Sequence, residues 1–75
     1  MIGREQVRMA RAALGWGVRD LAEMAGVTAN TISRYENGAD ALGETLAKIQ
    51  RALEAGGVEF TNGDAPGVRL VGSRG

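Results

Sequence analysis

Apolar positions recur at helical spacing along the first two thirds of the chain. Val7, Ala10, Arg11 and Leu14 fall at i, i+3, i+4 and i+7. That spacing sets them on one face of a helix predicted over Arg4–Leu14 and ended by Gly15 and Gly17. Val18, Leu21, Ala22 and Ala25 repeat it in a second helix, and Gly26 follows where a positive φ would stop it. Thr28 is a good N-cap for a third helix reaching about Glu36, with Asn37-Gly38 as its stop signal. Within that helix Ile32 and Tyr35 face the same way. A fourth helix is predicted from about Leu42 to Ala55, ended by Gly56-Gly57. Its apolar stripe is Leu46, Ile49 and Leu53, with Leu42 one turn earlier.

Beyond Gly57 the pattern changes from helical spacing to alternation. Val58-Glu59-Phe60 and Val68-Arg69-Leu70 read as two short strands. The segment between them, Thr61 to Gly67, is rich in turn residues, with Asn62-Gly63 and Pro66-Gly67. Residues 72–75 are expected to fray. The chain therefore divides into a helical domain over residues 1–56 and a strand–loop–strand extension over 57–75.

The junction of the second and third helices carries the functional reading. Ala25 and Gly26 let two helices pack closely across a tight turn. Val27 plugs that turn into the core, Thr28 caps the next helix, and Ile32 anchors it against the preceding one. This is what a helix-turn-helix requires. Its second helix is then free to present an outer face to a DNA major groove.

Composition narrows the alternatives. A chain of 75 residues makes one domain, and at this size only ~60% of the unfolded surface is buried, so outside support matters. The chain has no cysteine and no histidine, which removes disulfides and the usual zinc sites and leaves self-association. No cofactor and no small-molecule ligand is expected. The nine basic and nine acidic residues cancel, so any attraction to nucleic acid must come from local placement of charge. No stretch is long and apolar enough for a membrane span, and the N-terminal MIGREQ lacks the apolar core of a signal peptide. A cytoplasmic protein is the expectation. Asp20, Glu23 and Glu44 have neither histidine nor cysteine to work with, so an enzyme is not expected.

Three stretches, Leu14-Gly15-Trp16, LAEMAGVTANTISRYENG and TLAKIQRAL, resemble the XRE/Cro family of helix-turn-helix regulators. The resemblance covers roughly residues 4 to 55. Small phage repressors and restriction-modification controller proteins share that architecture. It implies a mainly α fold: a compact four-helix, lambda-repressor-like bundle, here with a short C-terminal β-strand pair. It places base readers at Ala29, Asn30, Thr31 and Arg34. Asn30 can pair with adenine and Arg34 with guanine, while the Ala29 methyl can meet a thymine methyl. Phosphate contacts are expected from Arg8, Gly17, Arg19, Thr28, Ser33, Asn37 and Gly38, with backbone N–H groups acting at the last two. The resemblance also implies a partly buried ion pair between Arg11 and Glu36 that ties the first helix to the end of the third.

Two features depart from the family pattern. A polar cap and a phosphate-binding glutamine are replaced by Gly17 and Val18, so Arg19 is the substitute phosphate contact. The connection Gly38-Ala39-Asp40-Ala41 is short, lacks the common proline and carries no basic residue. Elsewhere the bland readings are preferred. Trp16 is a core or edge anchor, Met9 and Met24 are packing residues, Tyr35 is core, and Lys48 and Arg51 form a solvated face.

The expected function is sequence-specific binding of double-stranded DNA by a transcriptional regulator, a homodimer on an inverted repeat. Val58, Phe60, Val68 and Leu70 would form the dimer interface, since two strands alone are unstable in water. Glu59 and Arg69 could pair across the ladder. The alternative is a protein-interaction module, antiactivator- or antitoxin-like, that keeps the fold with weak or no DNA binding. Zero net charge, Val18 and Asp40 are the features that favour it.

Overall fold

A computed structural model describes residues 2–61 and 66–71. The expected turn at Asn62-Gly63 and the expected fraying of 72–75 lie outside the described residues. Helices α1 (Arg4–Leu14), α2 (Val18–Ala25), α3 (Ala29–Glu36) and α4 (Gly43–Gly56) precede strands β1 (Val58–Thr61) and β2 (Gly67–Leu70).

The helix starts follow from local donors and acceptors. The first N–H groups of a helix lack intrahelical partners. At α1 the Gly3 N–H donates to Gln6 Oε1 at 2.9 Å, and at α2 the Gly17 N–H donates to Asp20 Oδ2 at 2.8 Å. Asp20 is thus part of a cap, and its charge sits favourably at the positive end of α2. Thr28 caps α3 by accepting from the Thr31 N–H at 3.2 Å. The turn between α2 and α3 closes through Gly26 and Val27, whose N–H groups both donate to the Ala22 carbonyl. Gly26 has φ +74°, a conformation that any Cβ would strain.

The amphipathic faces meet in one core. Val7 and Ala10 of α1, Leu21 and Ala22 of α2, Ile32 and Tyr35 of α3, and Ile49, Ala52 and Leu53 of α4 are all buried. Ile2 closes the bottom of this core, where its carbonyl accepts from the Tyr35 hydroxyl at 3.3 Å. Truncating a side chain as enclosed as Ile32 or Leu53 costs ~2–5 kcal/mol in cores of this kind. Leu42 is an exception to the predicted stripe. It is the N-cap residue of α4 and is 71% exposed, because the chain turns away from the core there. Met9 and Met24 are also exposed, against their reading as packing residues.

The tail strands pair with each other, antiparallel, in the register Val58↔Leu70, Glu59↔Arg69, Phe60↔Val68 and Thr61↔Gly67. Glu59 and Arg69 form an ion pair across that ladder. The Val71 N–H donates to the Gly57 carbonyl at 2.8 Å at one end. At the other end Gln6 Nε2 of α1 donates to the carbonyls of both Thr61 and Gly67, at 3.1 Å each. The hairpin is therefore tied into the bundle. Val58 is buried in the common core, with Phe60 and Val68 packed against it. These residues were expected at a dimer interface. Val58, Phe60 and Val68 cover the chain's own helices, while Leu70, 59% exposed, and Val71 are open to solvent.

Candidate nucleic-acid interface

The outer face of α3 is held from behind. Ile32 and Tyr35 fix the helix to the core, and Glu36 fixes its C-terminal end. The Glu36 carboxylate receives Arg11 in a fork, from Nε at 2.9 Å and from Nη2 at 2.8 Å. Arg11 Nη1 also donates to the Trp16 carbonyl at 3.1 Å, so one guanidinium joins α1, the α1–α2 connection and α3. The bond to Glu36, together with its negative charge, raises the Arg11 pKa above its ordinary value, against the opposing effect of burial.

Two further arginines of α1 gather at this end of α3. Arg8 Nη2 donates to the Glu36 carbonyl at 2.7 Å, and its Nε lies 3.8 Å from the Glu36 carboxylate. The Arg4 guanidinium lies over the Tyr35 ring, 5.1 Å from its centroid. Positive charge here complements the negative end of the α3 dipole. Arg8, expected to meet phosphate, is thus bound to Glu36, which shares its charge with Arg11.

The N–H groups of Asn37 and Gly38, expected to meet phosphate, have partners within the chain. They close the last turn of α3: Asn37 donates to Ser33 and Arg34 carbonyls, and Gly38 donates to Tyr35. The Asn37 side chain returns to the Ser33 carbonyl at 2.9 Å. A short connection with no proline leaves the helix end to satisfy itself in this way.

The expected base readers separate into two groups. Asn30 and Arg34 are exposed, one turn apart, and their side chains make no hydrogen bond or ion pair among the described residues. Thr31 is half-buried, and its hydroxyl shares a 2.7 Å hydrogen bond with that of Thr28. Thr28 spends its side chain at the cap. Ala29 is half-buried and packs against the core. Ser33 is half-buried, while Gly17 and Arg19 are exposed at the start of α2.

Asn30, Thr31 and Arg34 line one side of an open cleft of about 280 Å³. Asp40, Ala41, Leu42 and Thr45 line the rest. The short connection after α3 brings Asp40 to the same cleft as Asn30 and Arg34. Sequence reasoning missed this grouping and noted Asp40 only as an acidic loop residue. The available signal was the loop length, which leaves Asp40 little room to lie elsewhere.

A capped turn at Gly26–Thr28, a rigidly backed α3 and an outward polar face define a helix-turn-helix domain. A family model described as Helix-turn-helix matches residues 7–60. The chain belongs to this XRE-type helix-turn-helix family, a family of DNA-binding transcription regulators and not of enzymes. A protein of Archaeoglobus fulgidus described as a "putative HTH-type transcriptional regulatory protein" is 43% identical over 49 residues. The match takes in 65% of this chain but 16% of the relative, so the chain spans about a sixth of that protein's length. Among the described residues no helix is long and apolar enough to cross a membrane.

Proposed function

We propose that the protein is a sequence-specific regulator that binds duplex DNA as a homodimer on an inverted repeat, with α3 in the major groove. The observation that carries this reading is the pair Asn30 and Arg34, exposed on a helix locked from behind by Ile32, Tyr35 and Glu36. Those two side chains have the donors and acceptors that discriminate adenine and guanine edges. Arg4, Arg8 and Arg11 are engaged with α3, so attraction to phosphate falls mainly to Arg19 and Arg34. A single copy then has little electrostatic grip, and two copies are needed for useful affinity. Leu70 and Val71, exposed at the end of β2, offer the second copy an apolar edge. Twofold symmetry would set the two α3 helices about one turn of DNA apart, ~34 Å. The working compartment is the cytoplasm, where DNA is accessible. Selection of bound sites from random duplexes at moderate salt tests this. An enriched inverted repeat supports it, and a pool that stays random overturns it.

A second reading, a protein-interaction module, has its own observation. Trp16, Asp20, Glu23 and Met24 line another open cleft, with Met24 58% exposed and two carboxylates beside it. A basic segment with an apolar side chain would suit it. Under this reading the selected pool shows no sequence preference.

A further inference from the structure

We propose that Asp40 and Arg34 together read one G·C base pair across both strands; this rests on the proposed placement of α3 in the major groove. The two residues line the same cleft, yet among the described residues they form no ion pair with each other. Here α3 supplies the donor fork and the α3–α4 connection supplies the acceptor.

The major-groove edge of a G·C pair presents two acceptors, guanine N7 and O6, and then a donor, the cytosine N4 amine. Arg34 supplies donors to the first two. Asp40 supplies the acceptor that the amine requires. The pair G·C in this orientation satisfies both side chains. Reversal to C·G sets the amine against the guanidinium and the guanine acceptors against the carboxylate. An A·T pair offers Arg34 the N6 amine where O6 should be, and offers Asp40 the O4 acceptor. Each alternative leaves two mismatched contacts. The carboxylate also disfavours DNA backbones generally, by repulsion from phosphate, so Asp40 lowers non-specific binding while it specifies a base pair.

Site selection with the full chain and the Asp40→Ala, Asp40→Asn and Arg34→Ala variants tests this. Asp40 is exposed, and the readout is base preference, which loss of stability does not change. Arg34→Ala is expected to relax one position of the site. Asp40→Ala is expected to relax that same position, with its G·C preference falling roughly five- to tenfold, within the range of a single mismatch. Asp40→Asn keeps an acceptor oxygen and is expected to retain the preference. If Asp40→Ala tightens every duplex alike with preferences unchanged, Asp40 only repels phosphate and the proposal fails alone. Relaxation at a different position also overturns it. A wild-type pool without enrichment overturns the DNA-reading proposal beneath it.

Discussion

The guanidinium of Arg11 and the carboxylate of Glu36 meet in a two-point fork, 2.9 Å and 2.8 Å, with Glu36 almost wholly enclosed and Arg11 largely so. Removing one partner leaves the other charge buried without compensation, which costs ~3–5 kcal/mol. Arg11→Ala, which leaves the enclosed Glu36 carboxylate behind, is therefore expected to lose up to that much in denaturant unfolding, a large share of the ~5–15 kcal/mol a domain has. Replacing both residues, with Arg11→Met and Glu36→Leu, should cost much less than the single change.

The same pair makes a pH prediction. The folded-state pKa of Arg11 is raised above its ordinary value, first by its hydrogen bond to Glu36. A raised basic pKa stabilises fully below the unfolded value and is lost only as pH climbs through the folded one. Arg11 thus keeps its charge across the working range. Double-mutant coupling between Arg11 and Glu36 should be unchanged from about pH 7 to about pH 10.

Trp16 packs close to the end of α4 at Gly56. A Cβ on Gly56 would sit 2.7 Å and 2.9 Å from its ring atoms and 3.0 Å from Leu14 Cδ1. Gly56→Ala gains up to ~1 kcal/mol of helix propensity, and less at a helix end. Displacing an indole and a leucine costs ~1–3 kcal/mol. The variant should be less stable on balance, with its tryptophan emission shifted to the red in the folded state. Unfolding followed by fluorescence reads both.

Gln6 ties the hairpin to α1 through the carbonyls of Thr61 and Gly67, and its Oε1 serves the α1 cap. Gln6→Ala should destabilise by ~1–3 kcal/mol, since buried polar groups lose their partner. Amide exchange should rise first at residues 67–70. Uniform loss of protection across the chain would show instead that the hairpin opens only with the whole bundle.

The helices were legible because the stop and start signals are local. Gly26 needs its positive φ, Thr28 its hydroxyl, and both act within one turn of their own residue. The strand pair was legible from alternation, and Glu59 does face Arg69. Burial of Ile2 and Gln6 was not, because their partners, Tyr35 and Thr61, come from distant parts of the chain. The polar outer face of α3 was legible only by residue type. Asn30 and Arg34 are where helical spacing puts them. Sequence does not reveal whether a donor is already spent. Arg8 is bound to Glu36, the Asn37 and Gly38 N–H groups close α3, and Ala29 packs inward. Likewise an apolar strand face can cover its own helices or a second copy, and Val58 does the former.

The central claim is that the outer face of α3 reads bases. The direct measurement compares the selected duplex with a scrambled one, for the wild-type chain and the Asn30→Ala/Arg34→Ala variant. The wild type should prefer its site, and each substitution should remove ~1–3 kcal/mol of that preference while binding to scrambled DNA changes little for Asn30→Ala. A double variant that discriminates the two duplexes as well as the wild type would contradict the account.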